Sequence, residues 1–267
     1  MLPSKRFALL PVPFEATTTY GQGTKKGPAA IIKAFPQVED FDDELLLDVK
    51  DKIKVKSKCS VRRLWSEVRS HLTRGEIPVV LGGEHSITPS VVKVVAGECE
   101  NLSVLQLDAH ADLRNKYQGS KNNHACVMRR VLEICPAVQV GIRNISEEGY
   151  EFAKASGQLK KLHFARQKSS LAKIKKQLSQ NVYITIDLDV FDPATLPAVG
   201  TPEPGGLFWP EIIKILKGVC QAKNVVGFDV VELSPRRGDI VSDFTAAKLV
   251  YKLIGCISKF CHGRSSL

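Results

Sequence analysis

Histidine and aspartate side chains recur at alternate positions in two short segments of this chain. Asp108, His110 and Asp112 stand at i, i+2 and i+4, and Asp187 and Asp189 stand at i and i+2. Since alternate residues of an extended backbone point the same way, each segment presents its polar side chains on one side. Carboxylate oxygens and imidazole nitrogens are common ligands of divalent cations, so this pattern indicates a metal site.

Two further segments supply side chains of the same kind. Glu84 and His85 follow Gly82 and Gly83 after one apolar stretch, and Glu232 follows another. Crowded carboxylates repel one another and raise their pKa values, which is tolerable where cations neutralise them. Because two divalent ions would balance the charge of four Asp carboxylates, we expect two ions in this site.

The ligand types favour one metal and one chemistry. Carboxylates with imidazoles and no thiolate suit Mn²⁺ better than structural zinc. Two ions that share bridging carboxylates polarise one water, whose pKa then falls far enough to give hydroxide near neutral pH. An isolated Asp-x-Asp pair is more often a turn or a cap, so the prediction of a two-metal hydrolase depends on all four segments together.

Alternating strands and helices are predicted to position these residues. Apolar runs predict strands at 7–12, 77–81, 102–107, 137–142, 162–165, 182–186 and 225–231. Helical spacing, caps and proline positions predict helices at 61–72, 88–95, 125–134, after Ser146, at 169–179, around Pro210 and at 242–260.

This alternation favours an α/β fold, with helices on both faces of a mostly parallel sheet of about eight strands, in one domain over residues 1–267. Ligands of such sheets bind beyond the carboxyl ends of the strands. The four polar segments, and Asp192 after one of the same strands, all follow such ends.

Composition excludes several classes of protein. Hydrophobic residues make up 43% of the chain, as in ordinary soluble globular proteins, and no apolar run reaches about 18 residues. No signal-peptide cleavage pattern follows the N-terminus, so a cytoplasmic protein without a membrane partner is expected. The seven cysteines are scattered without a Cys-x-x-Cys pair, which predicts reduced, mostly buried thiols.

The net charge of +10 raises the possibility of a nucleic-acid partner. The densest lysine run, 50–58, has the period-two alternation of a solvated edge strand and contains no aromatic residues for base stacking. We therefore expect no nucleic-acid partner. His71, His163 and His262 are expected to have structural roles.

Several of these segments resemble the signature blocks of the ureohydrolase family, which contains arginases, agmatinases and formiminoglutamases. The blocks are GGEHS (82–86), DAHAD (108–112), TIDLDVFDPATLPAVGTPEPGGL (185–207) and DVVELSP (229–235). The segment VPFEATTTYGQGTKKGPAAI (12–31) is similar to the opening of agmatinase-like members, so the resemblance spans nearly the whole chain.

The resemblance implies an arginase-like three-layer α/β/α sandwich, two Mn²⁺ ions per subunit and a homo-oligomer, either a trimer or a hexamer. It assigns one ion to His85, Asp108, Asp112 and Asp187, and the other to His110, Asp108, Asp187 and Asp189. Asp108 and Asp187 would then bridge the two ions.

Two further residues match catalytic positions of the family. His124 matches a loop histidine whose implied role is proton transfer to the leaving amine, which suits a pKa near neutrality. Glu232 matches the carboxylate that holds the guanidinium, whose parallel N–H groups a carboxylate accepts in pairs. A bridging hydroxide would attack the oriented carbon and release urea.

The agmatinase branch is the most similar, which implies hydrolysis of agmatine to putrescine and urea in polyamine biosynthesis. The loop 113–124 also allows a substrate with a carboxylate. Arginases hold the α-carboxylate with a Ser and an Asn placed like Ser120 and Asn122, and Arg114 could bind a carboxylate. Aminopropylagmatine, arginine and guanidinobutyrate therefore stay open as substrates.

Other classes of protein fit the sequence less well. A deacetylase-like metal amidohydrolase would keep one zinc and a tandem His-His pair, which this chain does not contain. A binuclear phosphatase would need more histidine ligands than the four segments offer. A basic nucleic-acid-binding protein would have no use for the complete ligand set.

Overall fold

Ten strands and eight α-helices follow one another in the part of the chain that the computed structural model describes, residues 5–167 and 170–261. The strands are β1 (Arg6–Val12), β2 (Phe41–Asp42), β3 (Leu47–Asp48), β4 (Ile53–Val55), β5 (Glu76–Gly82), β6 (Leu102–Leu107), β7 (Ala137–Ile142), β8 (Leu162–Phe164), β9 (Asn181–Asp187) and β10 (Asn224–Val231). The helices are α1 (Gly27–Ala34), α2 (Val61–Thr73), α3 (Thr88–Glu98), α4 (Val127–Val131), α5 (Glu147–Ser156), α6 (Leu171–Gln177), α7 (Trp209–Ala222) and α8 (Ile240–Phe260).

Eight of the strands form one sheet in the order β4-β1-β5-β10-β9-β6-β7-β8. Every neighbouring pair in this sheet is parallel, whereas β2 and β3 form a separate antiparallel pair. All residues of β6 and β7 are buried, as strands covered on both faces require. The predicted α/β fold with a parallel sheet of about eight strands is confirmed.

Helices cover both faces of the sheet and form two cores with it. Phe7 and Leu9 of β1 pack in the core formed with α1, α6, α7 and α8, whereas Leu10 and Val12 pack in the core formed with α2, α3, α4 and α5. A fully buried aliphatic or Phe side chain contributes about 1.5–3 kcal/mol, so the two cores fix the strand ends firmly between the layers.

Several predicted elements are shorter in the structure. The helix predicted at 125–134 is reduced to α4, since residues 124–126 form a 3-10 turn and further turns precede Pro136. The predicted start of a helix at 169 lies outside the described residues; α6 begins after Ser170, whose side chain accepts the N–H of Lys173. The edge strand predicted over 50–58 is confined to β4.

One expectation about the scaffold is met, and two elements are new. All seven cysteines are free and none is fully exposed. No helix within the described ranges has the length and apolar character that a bilayer span requires. Helix α1 and the β2–β3 pair were not among the predicted elements, since α1 starts with Gly-Pro and lacks a side-chain cap.

Candidate metal centre

The four polar segments meet at one edge of the sheet. Strands β5, β10, β9 and β6 are consecutive in the sheet and parallel, so their carboxyl ends lie side by side. His85, Asp108, Asp187 and Glu232 occur at or just after these four ends. The carboxyl ends of these four strands therefore bring the side chains together, as the sequence predicts.

Six predicted ligand residues converge there in two overlapping groups. His85, Asp108 and Asp187 offer ligand atoms that lie within 4.8 Å of one another, and so do Asp108, His110 and Asp189. Asp108 belongs to both groups. The sixth residue, Asp112, brings its Oδ2 to 3.3 Å from His85 Nδ1. Each group is able to hold a metal ion.

Backbone and amide donors orient the carboxylates. The N–H of His110 donates to Asp108 Oδ1 at 2.6 Å, the N–H of Ala109 donates to Asp189 Oδ1 at 3.0 Å, and the N–H of Asp189 donates to Asp187 Oδ1 at 2.9 Å. These bonds fix one oxygen of each carboxylate. The second oxygens of Asp108 and Asp187 lie 3.3 and 3.4 Å from His85 Nδ1, and that of Asp189 lies 2.8 Å from His110 Nδ1.

Burial makes this concentration of charge costly without bound positive charge. Asp108 is 0% exposed and Asp187 4%. Burial and the charge of Asp108 raise the pKa of Asp112 to about 7, and burial and the charge of Asp189 raise the pKa of Asp187. Burial lowers the pKa of His110, but the charges of Asp189 and Asp108 outweigh it and raise the pKa to about 12. The centre therefore holds protons at neutral pH unless cations replace them.

His85 provides a test of whether a metal ion suits these residues. Its Nε2 lies 2.9 Å from Thr185 Oγ1, whose proton goes to Asp229 Oδ1 at 2.5 Å, so Nε2–H is the donor to Thr185. In the neutral ring, Nδ1 then carries the lone pair; it is buried and has no hydrogen-bond partner among the described residues. A lone pair aimed at three carboxylate oxygens suits a cation between them.

Asp229 anchors this arrangement from below the centre. Besides Thr185, its carboxylate accepts the hydroxyls of Tyr183 at 2.9 Å and Thr88 at 3.0 Å. In a second buried chain, Gln158 donates to Gln139 Oε1 and Gln139 donates to Gln106 Oε1. The Nε2 of Gln106 in turn donates to Asp108 Oδ2 at 2.6 Å. None of these residues was predicted from the sequence. For Gln106, Gln139, Thr185 and Asp229, the signal is a polar residue inside an otherwise apolar buried strand.

Two site residues have left-handed backbone. Asp112 has a φ of 51° and Glu232 a φ of 67°, which non-glycine residues seldom adopt outside functional sites. The N–H of Glu232 donates to the carbonyl of Gly83 at 2.8 Å, and its Oε1 accepts the N–H of His85 at 2.6 Å. Burial raises the pKa of Glu232 to about 8. This geometry turns the carboxylate of Glu232 toward the cavity.

A cavity of about 260 Å³ opens over the centre. His124, Arg114, Tyr117 and Tyr20 are in its lining, together with five of the six ligand residues, Glu232 and other residues of the loops around it. A groove of about 450 Å³ against α7 is larger, but its lining has a single carboxylate and no histidine among the described residues. The chemistry of the site favours the smaller cavity.

The loop 113–124 forms the rim of this cavity. Tyr117 and Ser120 exchange backbone hydrogen bonds at 2.9 Å around a turn whose central residues, Gln118 and Gly119, both have positive φ. Arg114 reaches the cavity, and its guanidinium lies 4.9 Å from the Tyr117 ring. Ser120 Oγ accepts the N–H of Asn122, and neither residue is in the cavity lining.

Other residues singled out in the sequence lie away from the cavity. His71 is buried beside Glu76, and His163 Nε2 lies 2.7 Å from Gln177 Oε1, as structural roles predict. His262 is outside the described residues. Asp192 accepts the backbone N–H groups of Ala194, Gly205 and Gly206, so it fixes a loop. Gly83 lies close to the carbonyl oxygen of Phe14, and a Cβ added to Gly83 would lie 2.0 Å from that oxygen.

Comparison with known proteins identifies relatives over nearly the whole chain. The Arginase family model matches residues 5–256. The N(1)-aminopropylagmatine ureohydrolase of Synechocystis sp. is 38% identical over 269 residues, covering 92% of this chain and 87% of that protein. The agmatinase of Pyrococcus horikoshii is 38% identical over 269 residues, covering 93% and 91%. The solved agmatine ureohydrolase of Thermoplasma volcanium superposes with a TM-score of 0.85 at 30% identity, over 96% of this chain and 91% of that one.

Proposed function

Because this chain belongs to the arginase family and is a ureohydrolase, we propose that it releases urea from agmatine with two Mn²⁺ ions bound at the strand ends. In this proposal His85, Asp108, Asp112 and Asp187 hold one ion, and His110, Asp108, Asp187 and Asp189 hold the other.

The single observation that carries the proposal is the overlap of the two ligand groups at Asp108. A shared carboxylate would hold two ions next to each other, and a pair of neighbouring ions supplies an activated water for attack on a polarised carbon. The buried lone pair of His85 Nδ1 supports the first ion, and the short distance from His110 Nδ1 to Asp189 supports the second. When bound, the pair of ions would supply hydroxide near neutral pH and neutralise the carboxylates.

The remaining steps depend on the chain's own residues. Glu232 would accept two parallel N–H groups of the guanidinium and so hold its carbon above the centre. The positive charge of the guanidinium favours the ionised form of this carboxylate, whose pKa burial raises to about 8. His124, which lines the same cavity, would donate a proton to the leaving nitrogen so that an amine departs rather than an amide anion.

Aminopropylagmatine is the second candidate substrate. The named relatives at 38% identity include both an agmatinase and an aminopropylagmatine ureohydrolase, and both substrates present the same guanidinium to the centre. They differ in the amine tail, which in aminopropylagmatine is longer and carries one more amine, and which would extend past the rim formed by the loop 113–124. Arginine and guanidinobutyrate would place a carboxylate near Arg114 instead.

A urea-release assay tests the proposal. Protein loaded with Mn²⁺ would be incubated with agmatine, aminopropylagmatine, arginine and guanidinobutyrate, and with the Asp187→Ala variant as a control. We expect urea from the amine-tailed compounds and none from the control. Protein that is fully loaded with Mn²⁺ and releases urea from none of the four compounds would overturn the proposal.

We also propose that residues 1–267 form one domain and assemble as a trimer or hexamer of identical subunits. One continuous sheet between two cores supports the single domain. Light scattering coupled to size-exclusion chromatography would measure the oligomeric state. Cytoplasmic location and the lack of a nucleic-acid partner stay predictions.

A further inference from the structure

The loop that follows β1 is held against the segment that follows β5. The N–H of Gly83 donates to the carbonyl of Val12 at 3.0 Å, and the N–H of Glu84 donates to that of Phe14 at 2.9 Å. Because a Cβ at Gly83 would meet the Phe14 carbonyl oxygen at 2.0 Å, only glycine allows this approach. The contact brings Thr17 directly to the side chain of Glu84.

Four donors from this loop and its surroundings converge on the Glu84 carboxylate, which is 0% exposed. The N–H groups of Ala16 and Thr17 donate to Oε2, each at 2.6 Å, and the Ser86 hydroxyl donates to Oε1 at 2.6 Å. The Thr17 hydroxyl also donates to Oε1. An ionised carboxylate only accepts hydrogen bonds, so Thr17 donates its single hydroxyl proton to Glu84.

The Thr17 oxygen is left with lone pairs, and both of its other neighbours belong to His124. The backbone N–H of His124 donates to Thr17 Oγ1 at 3.1 Å, and His124 Nδ1 lies 3.1 Å from the same oxygen. Since the Thr17 proton points at Glu84, the contact with Nδ1 has to be an N–H donating to oxygen. The other ring nitrogen, Nε2, then carries the lone pair of the neutral ring.

We propose that Glu84 and Thr17 are positioning residues that fix the tautomer and ring orientation of His124, with the proton on Nδ1 and the acceptor on Nε2. The inference rests on the proposed function, in which His124 protonates the leaving nitrogen. In that step the Nε2–H bond of the imidazolium breaks and an N–H bond forms on the leaving nitrogen. Nδ1–H stays bonded to Thr17, and the neutral ring takes up its next proton at Nε2.

The opposite tautomer is disfavoured on hydrogen-bond grounds. If Thr17 donated to Nδ1, the buried Glu84 carboxylate would lose one of its four donors, and hydrogen bonds to an ionised acceptor are roughly twice as strong as neutral ones. That tautomer would also put the only ring proton of the neutral form on Nε2. The carboxylate–threonine pair therefore selects the form of His124 that can accept and deliver protons at Nε2.

Substitutions of Thr17 test the role in turnover. Thr17→Val removes the hydroxyl at nearly constant shape, and Thr17→Ser restores it; Thr73→Val, on the exposed side of α2, is the control. In urea release from agmatine we expect kcat to fall roughly 10- to 100-fold for Thr17→Val with KM and metal content unchanged. Thr17→Ser should recover most of kcat. Wild-type kcat in a folded Thr17→Val protein, or equal losses in the Val and Ser variants, would overturn the proposal.

Imidazole nitrogen NMR tests the tautomer without turnover. Metal-free protein labelled with ¹⁵N-histidine would be observed above the pH at which imidazole titrates, and the His124 signals assigned by their loss in His124→Asn. We expect the Nδ1–H pattern in the wild type and a shift toward Nε2–H in Thr17→Val. An Nε2–H pattern in the wild type would sink the inference. Because this readout needs no substrate, its result is separate from a failure to release urea.

Discussion

The floor and the rim of the cavity are built by different means. On the floor, residues from four strand ends are buried and hydrogen-bonded to one another, and Asp108 is completely buried. On the rim, the loop 113–124 exposes Asn115, Lys116 and Asn122 to solvent and is held mainly by its own backbone turn and a few contacts with neighbouring helices. Chemistry therefore depends on the floor and on His124, which ends this loop and contacts Thr17, and the recognition of the substrate tail depends on the exposed residues of the rim.

Because of this contrast, we expect a substitution on the floor to cost more free energy than a substitution on the rim. A floor residue shares its hydrogen bonds with several others, so its loss leaves buried charges without partners, at a cost of several kcal/mol. A rim residue acts through water at longer range, where a charge is worth about 1 kcal/mol or less. We therefore expect substitutions on the floor to have larger effects than substitutions of exposed rim residues.

The largest effect is expected for Asp187→Ala on the floor. Asp187 is 4% exposed and one of its oxygens lies 3.4 Å from His85 Nδ1, so its loss removes a ligand that the proposal assigns to both ions. We expect both ions to be depleted and kcat/KM for agmatine to fall by at least about 10³-fold. Metal analysis of the purified protein measures the first and urea release the second.

Asp51→Ala, which removes an exposed carboxylate, is the matched control and should keep two ions. An Asp187→Ala protein that still binds two equivalents of Mn²⁺ would show that Asp187 does not bridge.

His124→Ala should separate catalysis from metal binding. His124 lines the cavity but is not in either ligand group, so both ions should remain. Loss of a general acid should lower kcat by about 10²- to 10³-fold. The two values are measured on the same preparation. Metal loss in this variant would contradict the assigned role.

The sequence was sufficient for the sheet and for most of the floor. Parallel strands with apolar runs end at a common edge, so the positions of the strand ends are enough to predict that His85, Asp108 and Asp187 lie together. Spacing could not reveal the positive φ of Asp112 and Glu232, because tertiary contacts determine it.

The residues that hold the site side chains in place could not be predicted from the sequence either, because their contacts are also tertiary. Thr185 and Asp229 lie inside strands, where a polar residue is conspicuous only once its neighbours are known to be buried. Thr17 and Glu84 contact each other across 67 residues, and no local pattern predicts that pairing. The exposed side chains of the rim make few contacts, so neither the sequence nor the packing determines which substrate tail the rim recognises.

A substitution far from the cavity is expected to lower the free energy of unfolding without changing either the floor or the rim. Lys252 of α8 is 6% exposed and donates to Asp42 Oδ1 at 2.9 Å and to Glu44 Oε2 at 2.7 Å. Lys252→Met leaves Asp42 buried without its cation, and we expect a loss of about 3 kcal/mol in the free energy of unfolding. Lys248→Met on the same helix is the control. Urea-induced unfolding measures the loss, and kcat and metal content of folded protein should not change.

The same ion pair gives a pH dependence with a defined sign. Burial lowers the pKa of Lys252, but the hydrogen bonds that it donates to Asp42 and Glu44 outweigh this effect and raise the pKa above its usual value. A raised folded pKa means that the pair stabilises fully below the unfolded value of about 10.4 and that this stability is lost as pH rises through the folded pKa. The difference between wild type and Lys252→Met should therefore shrink in strongly alkaline buffer. A difference that grows there would show that the pair is not the cause.

The smallest effect is expected on the rim, for Arg114→Gln. Its guanidinium lines the cavity and lies 4.9 Å from the Tyr117 ring. Under the proposed function it would repel the distal ammonium of agmatine and attract the carboxylate of arginine. Removing the charge should lower KM for agmatine and raise it for arginine, each by roughly 2- to 5-fold because solvent screens the interaction. kcat and metal content should stay constant, and both KM shifts should diminish at high salt.

Arg129→Gln provides the matched control, since Arg129 also lies against an aromatic ring, that of Phe152, but outside the cavity lining. It removes one positive charge from the protein without changing the rim, so it should leave both KM values unchanged. Butylguanidine, whose tail has no charge, serves as the second control and should bind both proteins equally. If Arg114→Gln lowered kcat as strongly as a floor variant does, rim residues other than His124 would take part in the chemistry and the contrast between the two regions would fail.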